Sequence, residues 1–138
     1  MIGVLAIVLT LLIDQLSKSI VLKRLAAGRS VRAGPLLQIR LAKNRGRVKS
    51  RSLYVGYAIL LTLIIILVTY VSYVAHLFEG DLAQAGLGAA IGGAVSNMFD
   101  RFWRLRVIDF IDLGFWPVFN FADVAIVAGV AITIWTAL

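Results

Sequence analysis

The sequence predicts an all-α integral membrane protein: a four-helix transmembrane bundle with a small extramembrane β-sheet formed by the loops joining helices 1–2 and 3–4. Three observations predict it. Of 138 residues, 61% are hydrophobic and 15% charged, a ratio that a water-soluble domain of this size could not bury in one core. Four apolar runs each approach the roughly 20 residues that a helix needs to cross about 30 Å of hydrocarbon. All but three of the fourteen Lys and Arg lie between Lys18 and Arg51, and the three are Arg101, Arg104 and Arg106. Both basic groups therefore fall on one side of such a bundle.

The first run extends from Ile2 to about Leu22. It has no basic residue before Lys18, carries Asp14 and Gln15 within it and shows no small-residue cleavage site, so it reads as a retained helix and not as a cleaved signal peptide. The second, Leu53 to Phe78, has the uninterrupted centre Leu60–Val68 apart from Thr62. The third runs from Leu82 to about Phe102 and the fourth from Val118 to Leu138.

Between the first two runs, Leu37, Ile39 and Leu41 alternate with Gln38, Arg40 and Ala42 after Pro35, which predicts a short strand. Val107–Ile111 predicts another, and the two are expected to pair on one membrane face. No long-period repeat, linker or low-complexity segment interrupts the chain, so residues 1–138 read as a single domain.

Composition also excludes functions. With no cysteine and one histidine, the chain has no disulfide scaffold, thiol nucleophile or Cys/His metal centre, and no metal or cofactor is expected. The formal charge of +7 raises the question of nucleic acid, but aromatics are too sparse in the basic loop to support it.

The chemistry is expected from carboxylates. A charged side chain inside a spanning helix costs about 2.5–3.5 kcal/mol on insertion scales, so an intramembrane acid is a candidate functional group. Asp14, Asp100 and Asp123 qualify. Successive helices run in opposite directions, so all three fall near the face that carries the basic loops. Asp100 and Asp123 each follow an asparagine by three residues, Asn97 and Asn120, close enough along a helix for each to orient its aspartate. The small residues Gly88, Gly92 and Ser96 form a stripe that admits another backbone. Two carboxylates at one site favour sharing a proton, which allows one to activate water while the other supports the developing charge.

These segments resemble the lipoprotein signal peptidase (signal peptidase II) family. The matching elements are Asp14-Gln15-Leu16-Ser17-Lys18, Asn44-x-Gly46, Gly92-Gly93 through Asn97-Met98-Phe99-Asp100-Arg101, Val107-Ile108-Asp109-Phe110, and Trp116 through Asn120-Phe121-Ala122-Asp123, in the family's order over nearly the whole chain. The resemblance implies a membrane aspartic endopeptidase that cleaves signal peptides from diacylglyceryl-modified prolipoproteins before the lipidated cysteine. By position it implies Asp100 and Asp123 as the catalytic pair. Asp14, Asn44, Gly93, Asn97, Arg101, Asp109 and Asn120 are expected to support the site or bind substrate. It also implies membrane lipids and lipidated prolipoprotein as partners, and inhibition by globomycin-like peptides.

The implied location is the bacterial cytoplasmic membrane, multi-pass, with the active site toward the outer face. The positive-inside rule points the other way for the basic loops; the reading follows the resemblance. Where the family continues with small and aromatic residues, this chain has the basic segment Arg45–Arg51. That departure motivates an alternative, a catalytically altered paralogue that binds lipidated peptides. A proton-coupled carrier using the three acids is a further alternative, opposed by the absence of an inverted repeat.

Simpler readings stand beside these. Asp100 and Asp123 also fit helix-end charges, Asp14 fits an i,i+4 pair with Lys18, and Asp109 and Asp112 fit solvated loop charges. His76, Trp103, Trp116 and Tyr54 are expected at the membrane interface.

Overall fold

The computed structural model describes residues 1–25, 29–41 and 80–137, together with 56, 59, 60, 63, 65–67 and 70. Its elements, in order, are helix α1 (Ile2–Arg24), strands β1 (Ser30–Arg32) and β2 (Gln38–Arg40), helix α2 (Asp81–Trp103), strand β3 (Ile111–Asp112) and helix α3 (Phe121–Ala137). The expected second helix lies largely outside the described residues; those described from 56 to 70 are helical.

Helix α1 reverses the usual order of a soluble helix. Asp14, Lys18 and Val21 are its buried residues, whereas Val4, Leu5, Val8, Leu9, Leu12, Ile13, Leu16 and Ile20 are exposed. Spaced at four and three residues, the buried positions form one stripe that carries an acid and a base. In water this arrangement would lose the hydrophobic contribution of the apolar face; against lipid it is the favourable one. At 23 residues, α1 is roughly 35 Å long, and among the described helices it alone is long and apolar enough to cross a membrane.

Helix α2 lies between α1 and α3 and carries most of the interhelical contact. Its buried residues are largely Gly and Ala, followed by Ser96, Asn97 and Asp100. Two adjacent glycines explain the close approach on both sides. A Cβ on Gly92 would lie 2.7 Å from the Ile7 carbonyl oxygen of α1, and one on Gly93 would lie 3.0 Å from Ile126 Cγ1 of α3. Small residues thus let both neighbours pack backbone to backbone. This composition also lowers the hydropathy of the third run, which forms its helix over Asp81–Trp103 but does not join α1 as an apolar span.

The fourth run begins its helix later than the hydropathy predicts. Val118 and Phe119 are not helical: Phe119 bridges Ile111, with Phe119 N donating to Ile111 O at 3.0 Å and Ile111 N to Phe119 O at 2.8 Å. Asn120 then starts α3, because its side-chain oxygen accepts from Asp123 N at 2.9 Å and Asp123 Oδ2 accepts from Asn120 N at 3.2 Å. This reciprocal pair satisfies N–H groups that a helix start leaves without partners.

The predicted strands pair antiparallel, with Gln38 opposite Asp112 and Ile39 opposite Ile111. β2 falls inside the first expected strand, whereas β3 keeps only Ile111 of the expected Val107–Ile111 and extends to Asp112, and a third strand that the alternation did not reveal, β1, completes the order β1-β2-β3 with Val31 opposite Ile39. Val21, Leu25 and Phe110 form a small core beneath this sheet, with Ile39, Leu41 and Ile111 packed against it. That core ties the sheet to the C-terminal end of α1.

Candidate active site

The C-terminal ends of α1 and α2, the N-terminal end of α3 and the segment before β3 meet in one polar cluster. Asp14, Lys18 and Asp100 are fully buried there, as are Ser96 and Asn120. Such groups are tolerated in a bundle interior only when their hydrogen bonds are made. Among the described residues no buried side-chain N or O lacks a partner.

Asp14 joins the three helices. It is ion-paired with Lys18 one turn later, its Oδ2 accepts from Ser96 Oγ at 2.7 Å, and its Oδ1 accepts from Ala122 N of α3 at 2.9 Å. A carboxylate against the first N–H groups of a helix is also favoured by the helix dipole.

Asp100 is enclosed by cations. Lys18 Nζ lies 2.7 Å from its Oδ2, and the Arg104 guanidinium pairs with its Oδ1 from one turn on. Gln15 Nε2 donates to the same Oδ1 at 3.2 Å, and Ile108 N to Oδ2 at 3.3 Å. Two acids, Asp14 and Asp100, thus face two bases, Lys18 and Arg104, so the group is balanced in charge.

Asp100 and Asp123, expected to form a pair, share no hydrogen bond among the described residues, and the Asp100 carboxylate is turned into the ion cluster. The acid that approaches Asp123 is Asp109. Ile108 and Phe110 are buried on either side of it, so the alternation of an extended segment turns Asp109 to the other face. Pairing of Phe110 N with Phe119 O at 3.0 Å brings that segment beside Asn120. Asn120 Nδ2 donates to Asp109 Oδ1 at 2.8 Å while Asn120 N and Oδ1 bond Asp123. Burial, and then the Asp123 carboxylate, push Asp109 up from 3.8 to about 6; Asn120 and Lys18 pull against that rise. Asp109 is therefore not the solvated loop charge of the simpler reading.

Asn97 links the two groups. Its Nδ2 donates to Asp123 Oδ1 at 2.8 Å, and its Oδ1 accepts from Lys18 Nζ at 3.2 Å and Asn120 Nδ2 at 3.1 Å. Asn97 thus serves Asp123 across the bundle and not Asp100 on its own helix, as the three-residue spacing suggested.

The remaining expected residues divide. Gly93 adjoins the Ala122 backbone and permits the α2–α3 approach that places Asp123. Arg101 makes no hydrogen bond or ion pair among the described residues; the guanidinium that reaches Asp100 is that of Arg104. Asn44 and the basic segment Arg45–Arg51 lie outside the described residues, as do Tyr54 and His76. Asp112 is buried, pairs with Arg40 and accepts from Gly114 N at 2.8 Å, where φ of +82° suits glycine. It holds the sheet and is not a solvated charge. Trp103 and Trp116 are exposed near this end of the bundle.

Reading the sequence alone missed Gln15, Ser96 and Arg104 as members of the cluster. The signal for Arg104 was its i,i+4 spacing from Asp100; Ser96 and Gln15 carry none that distinguishes them from ordinary helix residues.

Helices with exposed apolar faces around a buried cluster of acids and amides fit a membrane enzyme, and the comparisons place the chain in that class. Residues 6–138 match the family model described as signal peptidase (SPase) II. A lipoprotein signal peptidase from Moorella thermoacetica is 36% identical, over 94% of this chain and 88% of that one. One from Rhodococcus jostii is 36% identical over 84% of this chain, which spans 62% of that relative's length. A solved bacterial membrane enzyme superposes with a TM-score of 0.85 at 26% identity, covering 99% of this chain and 92% of the other. The chain belongs to the signal peptidase II family.

Proposed function

We propose that the protein is an aspartic endopeptidase that cleaves the signal peptides of diacylglyceryl-modified prolipoproteins before the lipidated cysteine, with Asp109 and Asp123 as the catalytic pair. The observation that carries this reading is the division of the acids: Asp14 and Asp100 are neutralised by Lys18 and Arg104, while Asp109 and Asp123 meet on Asn120 without an ion pair among the described residues. Two acids so placed take up a proton between them. In the reaction, ionised Asp123 takes a proton from water, and the water oxygen bonds to the scissile carbonyl carbon. Protonated Asp109 hydrogen-bonds the developing oxyanion. The tetrahedral intermediate then collapses, the C–N bond breaks, and the leaving nitrogen receives a proton from the pair.

Asp14, Lys18, Ser96 and Asp100 fasten the helices that carry the pair, and Asn97 and Asn120 orient it. The protein is read as multi-pass in the bacterial cytoplasmic membrane, with the site toward the outer face. Exposed apolar surface and the nearby tryptophans suit contact with lipids and with the substrate's acyl chains. Globomycin-like peptides compete with the substrate at this site. Neither the altered paralogue nor the proton carrier is favoured.

The full chain in lipid is expected to cut a diacylglyceryl-modified prolipoprotein and to leave its unmodified form intact. Failure to cut the modified form would refute the proposed activity. A reporter fused after Leu138 reads the orientation, with a cytoplasmic signal expected.

A further inference from the structure

Lys18 is fully buried and contacts three different groups: Asp14, Asp100 Oδ2 at 2.7 Å and Asn97 Oδ1 at 3.2 Å. An ammonium has three donors. Charge balance within the cluster accounts for the first two contacts but does not require the third, which leaves the cluster in the direction of Asp123.

A carboxamide has one accepting and one donating end. With Asn97 Oδ1 held by Lys18 Nζ and Asn120 Nδ2, the donating end is turned to Asp123 Oδ1. Reversing the amide would set its NH2 against an ammonium and another NH2, and its oxygen against a carboxylate. All three contacts would then be repulsive. Lys18 is the charged member of this lock.

We propose that Lys18 is a positioning residue for the Asp109–Asp123 pair: by holding the oxygen of Asn97 it aims Asn97 Nδ2 at Asp123 and keeps the pair in its reactive arrangement. The inference rests on the proposed endopeptidase activity. The charged groups arranged about this lock are Asp14 on α1, Asp100 on α2, Arg104 just past the end of α2, Asp123 on α3 and Asp109 before β3. The Lys18 charge also lowers Asp109 against its upward shift.

The test is Lys18→Met in the full chain in lipid, assayed by cleavage of a diacylglyceryl-modified prolipoprotein. The expected result, per folded molecule, is a fall in kcat of about 10- to 100-fold with KM changed by less than about twofold. The alkaline limb of the pH profile is expected to move to higher pH, because Asp109 loses a cation. A second variant, Lys18→Met with Asp14→Asn, keeps Asp100 opposite Arg104 and preserves charge balance; it should show the same signature. Wild-type kcat and pH profile in either folded variant would overturn the proposal, and so would failure of both to fold, which would make the role purely structural. Asp109→Asn and Asp123→Asn are run in parallel. If these still cut, the assignment of Asp109 and Asp123 as the catalytic pair fails; if they are silent while Lys18→Met behaves as wild type, only the role of Lys18 fails.

Discussion

Asn97 Nδ2 donates to Asp123 Oδ1 at 2.8 Å, joining the middle helix of the described bundle to the first turn of the last. Through this bond and the Asn120 cap, Asp123 is held from two elements at once. Asp100, three residues after Asn97, is held instead by Lys18 and Arg104. The consequences are measurable.

Asp100→Asn should act on stability before chemistry. Among the described residues, removing one acid from the buried cluster leaves Lys18 with Asp14 alone and Arg104 with no carboxylate partner, and breaking a buried ion pair from one side costs about 3–5 kcal/mol. Thermal unfolding in detergent should show a large drop in Tm, while cleavage per folded molecule stays within about tenfold of wild type.

Asp109 sets the pH dependence. Burial, followed by Asp123, lifts it from 3.8 to about 6. Since the folded state binds this proton more tightly than the unfolded one, the group's contribution to stability grows as pH falls from about 6 toward 3.8 and is lost as pH rises through about 6. Cleavage that needs the proton on Asp109 should follow the same direction. The kcat/KM profile is expected to decline on its alkaline side as Asp109 loses its proton near 6; a flat profile through that region would contradict the assignment.

Asn120→Ala should produce two separable effects. Loss of the α3 cap costs about 1 kcal/mol in unfolding. Loss of the hydrogen bond that lowers Asp109 should move the alkaline limb of the kcat/KM profile upward. A variant with the stability loss but an unchanged profile would separate Asn120 from the pair.

Gly92→Leu should push α1 from α2, because even a Cβ there would lie 2.7 Å from Ile7 O and 2.9 Å from Thr10 Cβ. Overpacking of this kind costs about 1–3 kcal/mol or more. A lower Tm with reduced cleavage is expected, since α1 carries Asp14 and Lys18.

The apolar runs made the described helices legible, and the alternation around Ile39 and Ile111 made the central strand pair legible. The start of α3 was not, because hydropathy continues through Val118 and Phe119 while Asn120 decides where the helix begins. The site was legible in its members more than in its pairing. Asp100 stood out as an acid in a spanning run, yet that cost is offset by Lys18 and Arg104, whose spacings from Asp14 and Asp100 were both four residues. Among the four acids expected at the site, Asp14, Asp100, Asp109 and Asp123, counting those two cations against their i,i+4 partners would have left Asp109 and Asp123. Asp109 was obscured because it lies in a loop by hydropathy, and only the pairing of its neighbour Phe110 with Phe119 brings it to Asn120.

The most direct measurement is single-turnover cleavage of a diacylglyceryl-modified prolipoprotein by Asp109→Asn and by Asp100→Asn, each normalised to folded protein. Asp109→Asn is expected to lose about 10²–10⁴-fold, with Asp100→Asn retaining cleavage in its folded fraction. Wild-type cleavage by Asp109→Asn together with silence of folded Asp100→Asn would contradict the account.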